Sequence, residues 1–202
     1  MAVESARVSS RLPPRNFDRM TVPASHQRAR TWFRVHQSRF SALHFSLNSI
    51  HRFSHDDCPC PFLYLAEDVE TCLFEAFGDK TYEQQKIIPR SLWKVNCVTG
   101  VRVPKLQLCD LTKRETLRVL NLDVRALMNN DLAAPQAWGL AIQKHPAAFQ
   151  AITFKSRFNG KSCLALFRRD GIDKQLSEVR FGSLMKNGPA VNWLDKHKVS
   201  LF

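Results

Sequence analysis

The chain has 202 residues, 44% of them hydrophobic and 24% charged, a length and balance that suit one domain with a buried core, with or without a tail. No apolar run approaches the roughly 18 residues a helix needs to cross a bilayer, so no membrane span is expected, and the polar, arginine-dotted start MAVESARVSSRLPP has no apolar stretch typical of a secretory signal. The formal charge of +12 suits a polyanion or a small anionic substrate, and equally a solvated basic face without a specific partner.

Residues 1–30 carry six arginines against Glu4 and Asp18, a net +4 of that total, so the bias is not confined to one end. Residues 1–28 hold three prolines and no periodicity, and are expected to form a basic arm, docked or disordered, ahead of a single domain over 29–202. Residues 31–36 (TWFRVH) predict a strand, with Trp32, Arg34 and His36 on one face and Phe33 and Val35 on the other, apolar one. Residues 37–61 show no period, and DDCPCP at 56–61 is a turn cluster. With Cys58 and Cys60 the one close cysteine pair and no histidine at ligand spacing after it, no metal site is expected; the thiols are expected reduced and the setting cytoplasmic.

Residues 62–66 (FLYLA) predict a short strand with Phe62, Tyr64 and Ala66 on one side. Glu67 and Asp68 suit the first turn of a helix. Val69, Cys72, Leu73, Ala76 and Phe77 then form an apolar stripe at helical spacing, ending at Gly78. At about 100° per residue, Glu75 lies about 60° from Cys72, at the edge of the buried face. Strands are expected at 92–98 and 101–109 with a turn at Thr99-Gly100, the second an edge or interrupted strand because of Pro104, and Thr112 to Glu115 matches a capping box for a helix over 113–121. Pro135 opens a further helix with Trp138, Ala141, Ile142 and His145 on one face. Asn159-Gly160 between the β-like runs 151–156 and 161–167 predicts a two-residue type I′ hairpin that sets Ser156 opposite Cys163.

The chemistry-bearing residues come in a definite order: Arg34 on the first strand, Arg52 within His51-Arg52-Phe53, Tyr64 on the next strand, Glu75 eleven residues later on a helix, and Ser156 before a hairpin. This order resembles the RES domain, a family named for its arginine, glutamate and serine and known as the toxin component of RES–Xre type bacterial toxin–antitoxin systems. Phe33-Arg34-Val35 is similar to its opening strand. His51-Arg52-Phe53 is similar to its second arginine block, where a glycine is common in place of His51. Leu63-Tyr64-Leu65-Ala66 with Thr71 and Glu75 is the most specific piece. Gln136-Ala-Trp138 and Phe154-Lys-Ser156-Arg157 with Asn159-Gly160 and Leu164-Ala-Leu-Phe167 complete a likeness over residues 31–170.

The resemblance implies an α+β fold like that of ADP-ribosyltransferases, a mainly antiparallel β core flanked by helices. It also implies NAD phosphorylase activity: cleavage of the nicotinamide–ribose bond with phosphate as acceptor, and no cofactor beyond those two substrates. Arg34, Glu75 and Ser156 are the expected catalytic residues. Glu75 would stabilise an oxocarbenium-like ribose, and Ser156 would hydrogen-bond the ribose or a phosphate oxygen; with no adjacent histidine, Ser156 is not read as a nucleophile. Arg34 and Arg52 would grip phosphate groups, and Tyr64 would stack on the nicotinamide or its ribose. Arg52, Tyr64, Arg157 and Asn159 are the expected substrate-binding residues. An antitoxin protein and a second copy of the chain are the implied protein partners. Two alternatives stay open: ADP-ribosyl transfer to a macromolecule, and a basic nucleic-acid-binding module without catalysis. The absence of a zinc finger, a recognition-helix pattern or an RNP motif argues against nucleic acid.

Overall fold

An eight-stranded sheet forms the spine of the molecule, seen in a computed structural model that describes residues 12–47, 51–82, 86–128 and 130–202. In chain order the elements are β1 (Ala24–Gln27), β2 (Arg30–Gln37), β3 (Phe62–Ala66), α1 (Val69–Tyr82), β4 (Ile87–Ile88), α2 (Arg90–Val95), β5 (Asn96–Val103), β6 (Leu106–Asp110), α3 (Arg114–Val119), α4 (Val124–Met128), α5 (Ala133–Lys144), β7 (Ala151–Lys155), β8 (Ser162–Phe167), β9 (Ser177–Ser183), α6 (Gly188–His197) and β10 (Ser200–Leu201). The sheet runs β1-β6-β7-β8-β3-β2-β5-β9, and every neighbouring pair is antiparallel except β6–β7, whose crossover carries α3, α4 and α5. This is the expected α+β architecture, a mainly antiparallel sheet flanked by helices. No helix among the described residues is long and apolar enough to cross a membrane.

Both faces of the central strands are covered, which explains why β3 and β8 read as nearly continuous apolar runs. Phe62, Ala66, Phe154, Cys163 and Phe167 pack with Trp138 and Ile142 of α5 on one face. Leu63, Leu65, Val101, Leu164 and Leu166 pack with Trp32 on the other. Leu73, Phe74 and Phe77 of α1 join Trp93 and Trp193 in a third cluster. The β2 face assigned to Trp32, Arg34 and His36 is therefore no open surface: Trp32 is only 2% exposed. All six cysteines are unbridged and five are buried, where a thiol packs as a small apolar group.

Several local expectations give way to tertiary contacts. Within the expected arm, residues 1–11 lie outside the described residues. Residues from Phe17 onward are docked: Phe17 is 4% exposed against Trp138, and β1 supplies backbone partners to β6. The sheet thus starts ahead of the expected boundary at 29. Residues 92–95 belong to helix α2, and β5 runs straight through Thr99-Gly100 because all eight residues of β2 pair along it. The turn falls instead at residues 104–105, where Pro104 cannot donate to a ladder. No capping box forms, since both the Thr112 N–H and its hydroxyl donate to Asp110 Oδ1, at 3.0 and 2.6 Å, and the residue flanking α3 is Lys113 without a side-chain cap. Finally, α1 continues past Gly78 to Tyr82. Gly78 is no stop signal but a notch, since a Cβ there would overlap the Phe158 ring.

A second close approach, at Gly139 of α5, seats that helix on the loop after Arg52, because a Cβ would collide with the Phe53 carbonyl oxygen. Helix propensity alone favours Gly139→Ala by up to about 1 kcal/mol. Overpacking against rigid backbone should override it, and the expected result is a loss of about 1–3 kcal/mol, read from the urea midpoint. A more stable Gly139→Ala protein would show that α5 does not rest on this loop in solution.

Candidate active site

Strands β2 and β3 pair at a single position, Phe33 with Ala66, and then separate. Ser46 takes the vacated edge of β3, exchanging two backbone hydrogen bonds of 2.9 Å with Phe62. A cavity of about 520 Å³ is lined by both strands, by α1 and by the adjoining loops, a volume within the range of small-molecule sites. Arg34 comes to it from β2, Tyr64 from β3, Glu75 and Asp79 from α1, and His51, Arg52 and Arg157 from loops.

Glu75 sits where the apolar stripe of α1 ends. Its carboxyl surface opens into the walled cavity, and burial raises its pKa above the ordinary carboxylate value. A hydrogen bond from Ser156 and the charges of Arg52 and Arg157 oppose that rise. Ser156 itself is 0% exposed. Its hydroxyl donates to Glu75 Oε1 at 2.6 Å and accepts from the Phe158 N–H at 3.3 Å, so its one proton is committed to the carboxylate rather than to a ligand.

The segment after β7 differs from the expected hairpin. The strand ladder ends at Lys155 with Ser162, the Ser156 N–H donates to the Lys161 carbonyl at 2.8 Å, and Cys163 faces Phe154 rather than Ser156. Of the Asn159-Gly160 pair only Gly160 has a positive φ, 70°, whereas a type I′ turn needs both. Contacts with α1 explain the wider loop: the Asn159 amide donates to Thr71 Oγ1 at 3.0 Å, and Phe158 fills the notch at Gly78. Asn159 accordingly faces α1 and is not among the cavity-lining residues.

The remaining expected site residues reach the cavity with part of their hydrogen-bonding capacity already used. Arg34 Nη1 donates to the Ala42 and His44 carbonyls at 2.7 and 2.8 Å. It has no acidic partner among the described residues, and burial lowers its pKa. The Arg52 guanidinium donates to the Leu127 carbonyl; burial lowers its pKa while Glu75 raises it. Arg157 bridges Asp79 and Asn130 and lies over the Phe158 ring at 4.7 Å. The Tyr64 hydroxyl accepts from the Phe53 N–H at 3.0 Å and bonds the Ser54 hydroxyl at 3.1 Å, so it anchors the loop that carries His51 and Arg52. Its ring stacks on Phe62 and tilts against His51.

A family model described as RES domain matches residues 31–182. This chain belongs to the RES domain family. The match extends past the expected limit at 170 and takes in most of β9. No curated protein matches the chain in sequence. Among solved structures it is similar to a chain of the M. tuberculosis MbcT–MbcA toxin–antitoxin complex, at 17% identity, with 96% of each chain covered and a TM-score of 0.63, a likeness of fold.

In this RES domain the structure brings Arg34, Arg52, Tyr64, Glu75 and Arg157 to one cavity, with Ser156 just behind Glu75. Sequence reasoning missed Asp79, although it lies one helical turn beyond Glu75, because the helix was expected to end at Gly78. His51 was visible only as a departure from the family pattern. Ser46 and Asn130 reach the cavity by tertiary placement alone. Since the Ser156 hydroxyl lowers the pKa of Glu75, Ser156→Ala is expected to move that titration upward. Carboxyl-carbon NMR, with Glu75→Gln used for assignment, measures it; an unmoved titration means that the 2.6 Å bond is not populated in solution.

Proposed function

We propose that this RES domain cleaves the nicotinamide–ribose bond of NAD and transfers the ADP-ribosyl group to inorganic phosphate, giving nicotinamide and ADP-ribose-1″-phosphate. The observation that carries this reading is one hydrogen-bonded carboxylate, Glu75, set among arginines in a cavity of about 520 Å³. Nicotinamide departs as a neutral group with the electron pair of the C–N bond, so departure needs no acid. It leaves an electron-poor ribose carbon, and a carboxylate aimed at that carbon stabilises the developing charge. With Oε1 bonded to Ser156, Oε2 is the oxygen left to hold a ribose hydroxyl. A phosphate oxygen then supplies the electron pair of the new C–O bond.

The guanidiniums match the two negative charges of the dinucleotide and the acceptor anion, and the formal charge of +12 steers anions toward the protein. The likeness of fold to a chain of a toxin–antitoxin complex supports a toxin role in which an antitoxin protein binds this chain.

Glu75 must be ionised to act. A carboxyl whose folded pKa is raised favours the folded state when protonated, and that contribution is lost as pH rises through the folded pKa. In its ionised form Glu75 is therefore a burden on stability. Glu75→Gln keeps the shape and an acceptor for Ser156. It is expected to cut NAD consumption at least about 100-fold while melting no lower than wild type at pH 7. Any advantage of the variant should shrink as pH falls toward 4.5, the ordinary glutamate value. Mass spectrometry with and without phosphate identifies the acceptor. Wild-type protein that leaves NAD intact sinks the enzymatic reading, and products indifferent to phosphate remove phosphate as the acceptor.

A further inference from the structure

The charges lining the cavity are unevenly divided. Around Arg52 lie Glu75, Asp79 and Arg157, and each acts on its ionisation. Arg34 and His51 form no ion pair among the described residues, and the two carboxylates that line the cavity, Glu75 and Asp79, are not among the charges that act on either. Cys72 also lines the cavity; burial pushes its thiol up to about 12, and Arg34, Glu75 and Asp68 all act on it. A desolvated cation without an acidic counter-charge is costly, so the carboxylate-free end of the cavity suits an incoming anion.

His51 is the other unspent group at that end. Its ring lies 5.2 Å from the Tyr64 ring and lines the cavity. Neither ring nitrogen has a hydrogen-bonding partner among the described residues; only its backbone carbonyl is engaged, by the Ser54 N–H and the Gln136 amide. Arg34 is similarly unspent: among the described residues both of its hydrogen bonds come from Nη1, which leaves Nη2 and Nε for a ligand. Burial, and then the Arg34 charge, lower the pKa of His51. A neutral imidazole offers one donor and one acceptor.

We infer that Arg34 and His51 form the acceptor subsite, which selects an oxyanion that still carries a proton, hydrogenphosphate, over one that carries none, such as sulfate. Arg34 donates to the anionic oxygens, and the free His51 nitrogen accepts from the P–OH group. Sulfate, fully ionised at neutral pH, leaves that nitrogen unpaired and desolvated, which is how a site built for a hydroxyl rejects an analogue lacking it. The inference rests on the phosphate-acceptor reading above but concerns different side chains from the Glu75–Ser156 pair.

The test is NAD consumption at varied phosphate for wild type, His51→Ala and His51→Asn. Loss of one hydrogen bond to the anion raises the phosphate KM of His51→Ala about tenfold. The asparagine oxygen keeps an acceptor and holds the KM within about threefold of wild type, and the NAD KM moves in neither variant. Melting in phosphate or sulfate reads the subsite without turnover: phosphate stabilises wild type more than sulfate does, and His51→Ala loses that preference. An NAD KM that rises in place of the phosphate KM, or equal stabilisation of wild type by the two anions, overturns the subsite. Phosphate-selective, His51-dependent stabilisation of a protein that leaves NAD intact would instead overturn the reaction and leave the subsite standing.

Discussion

The bond between Ser156 and Glu75 is the centre of a longer match between one face of α1 and the segment from 156 to 161. Asp68, Thr71, Glu75, Gly78 and Asp79 are spaced by threes and fours, or adjoin, so they lie along one side of the helix and the turn before it. Against them sit Lys161, Asn159, Ser156, Phe158 and Arg157. Exposed ion pairs such as Lys161 with Asp68 contribute little alone, on the order of 0–1 kcal/mol. Here they share one loop with a packed ring and two further hydrogen bonds, from Asn159 to Thr71 and from Ser156 to Glu75, so the loop has one register on the helix. That register places a buried hydroxyl 2.6 Å from the carboxylate.

The site works against the stability of the fold that holds it. Glu75 is desolvated enough to raise its pKa, and Arg34 and Arg52 enough to lower theirs. A fold selected for stability alone would place apolar side chains on the inner side of α1, as it does at Leu73, Phe74 and Phe77. Perturbed ionisable groups gathered in one cavity from β2, α1 and the loop at 51–52 are instead what a functional site would require. Tyr64 shows the supporting layer: its hydroxyl, expected only as the end of a stacking ring, holds the Phe53 backbone N–H and the Ser54 hydroxyl.

Features that depend on local period were legible in the sequence. The strands around Arg34 and Tyr64 and the placement of Glu75 at the edge of a buried stripe follow from alternation and helical spacing, which one segment carries by itself. Expectations that weighed a local signal against an unseen neighbour failed. Asn159-Gly160 favours a tight turn, but Thr71 and Gly78 draw the loop onto α1. Thr112 favours a cap, but Asp110 is nearer. Gly78 favours a helix end, but a helix tolerates glycine where an aromatic ring needs the space. Ser156 was found by resemblance, and its partner was not, since the pairing spans 81 residues and leaves no local trace.

The same non-local geometry explains why a cavity exists here. A sheet that stays paired along its length leaves no room between strands, and β2 remains fully paired with β5 on its other side. It meets β3 only at Phe33 and Ala66, so the opening must lie between β2 and β3. Ser46 closes the backbone requirement of β3 at Phe62, because unpaired groups there would otherwise be buried without partners. Arg34 follows Phe33 directly, and so stands where the two strands part. Its guanidinium is held by two loop carbonyls that neutralise no charge. The parting of the strands thus creates the volume and sets at its edge a cation with no counter-ion among the described residues, while α1 brings the carboxylates to the other side. That separation of charge along one cavity is what the proposed reaction needs, an anion held close to a carboxylate without the two meeting.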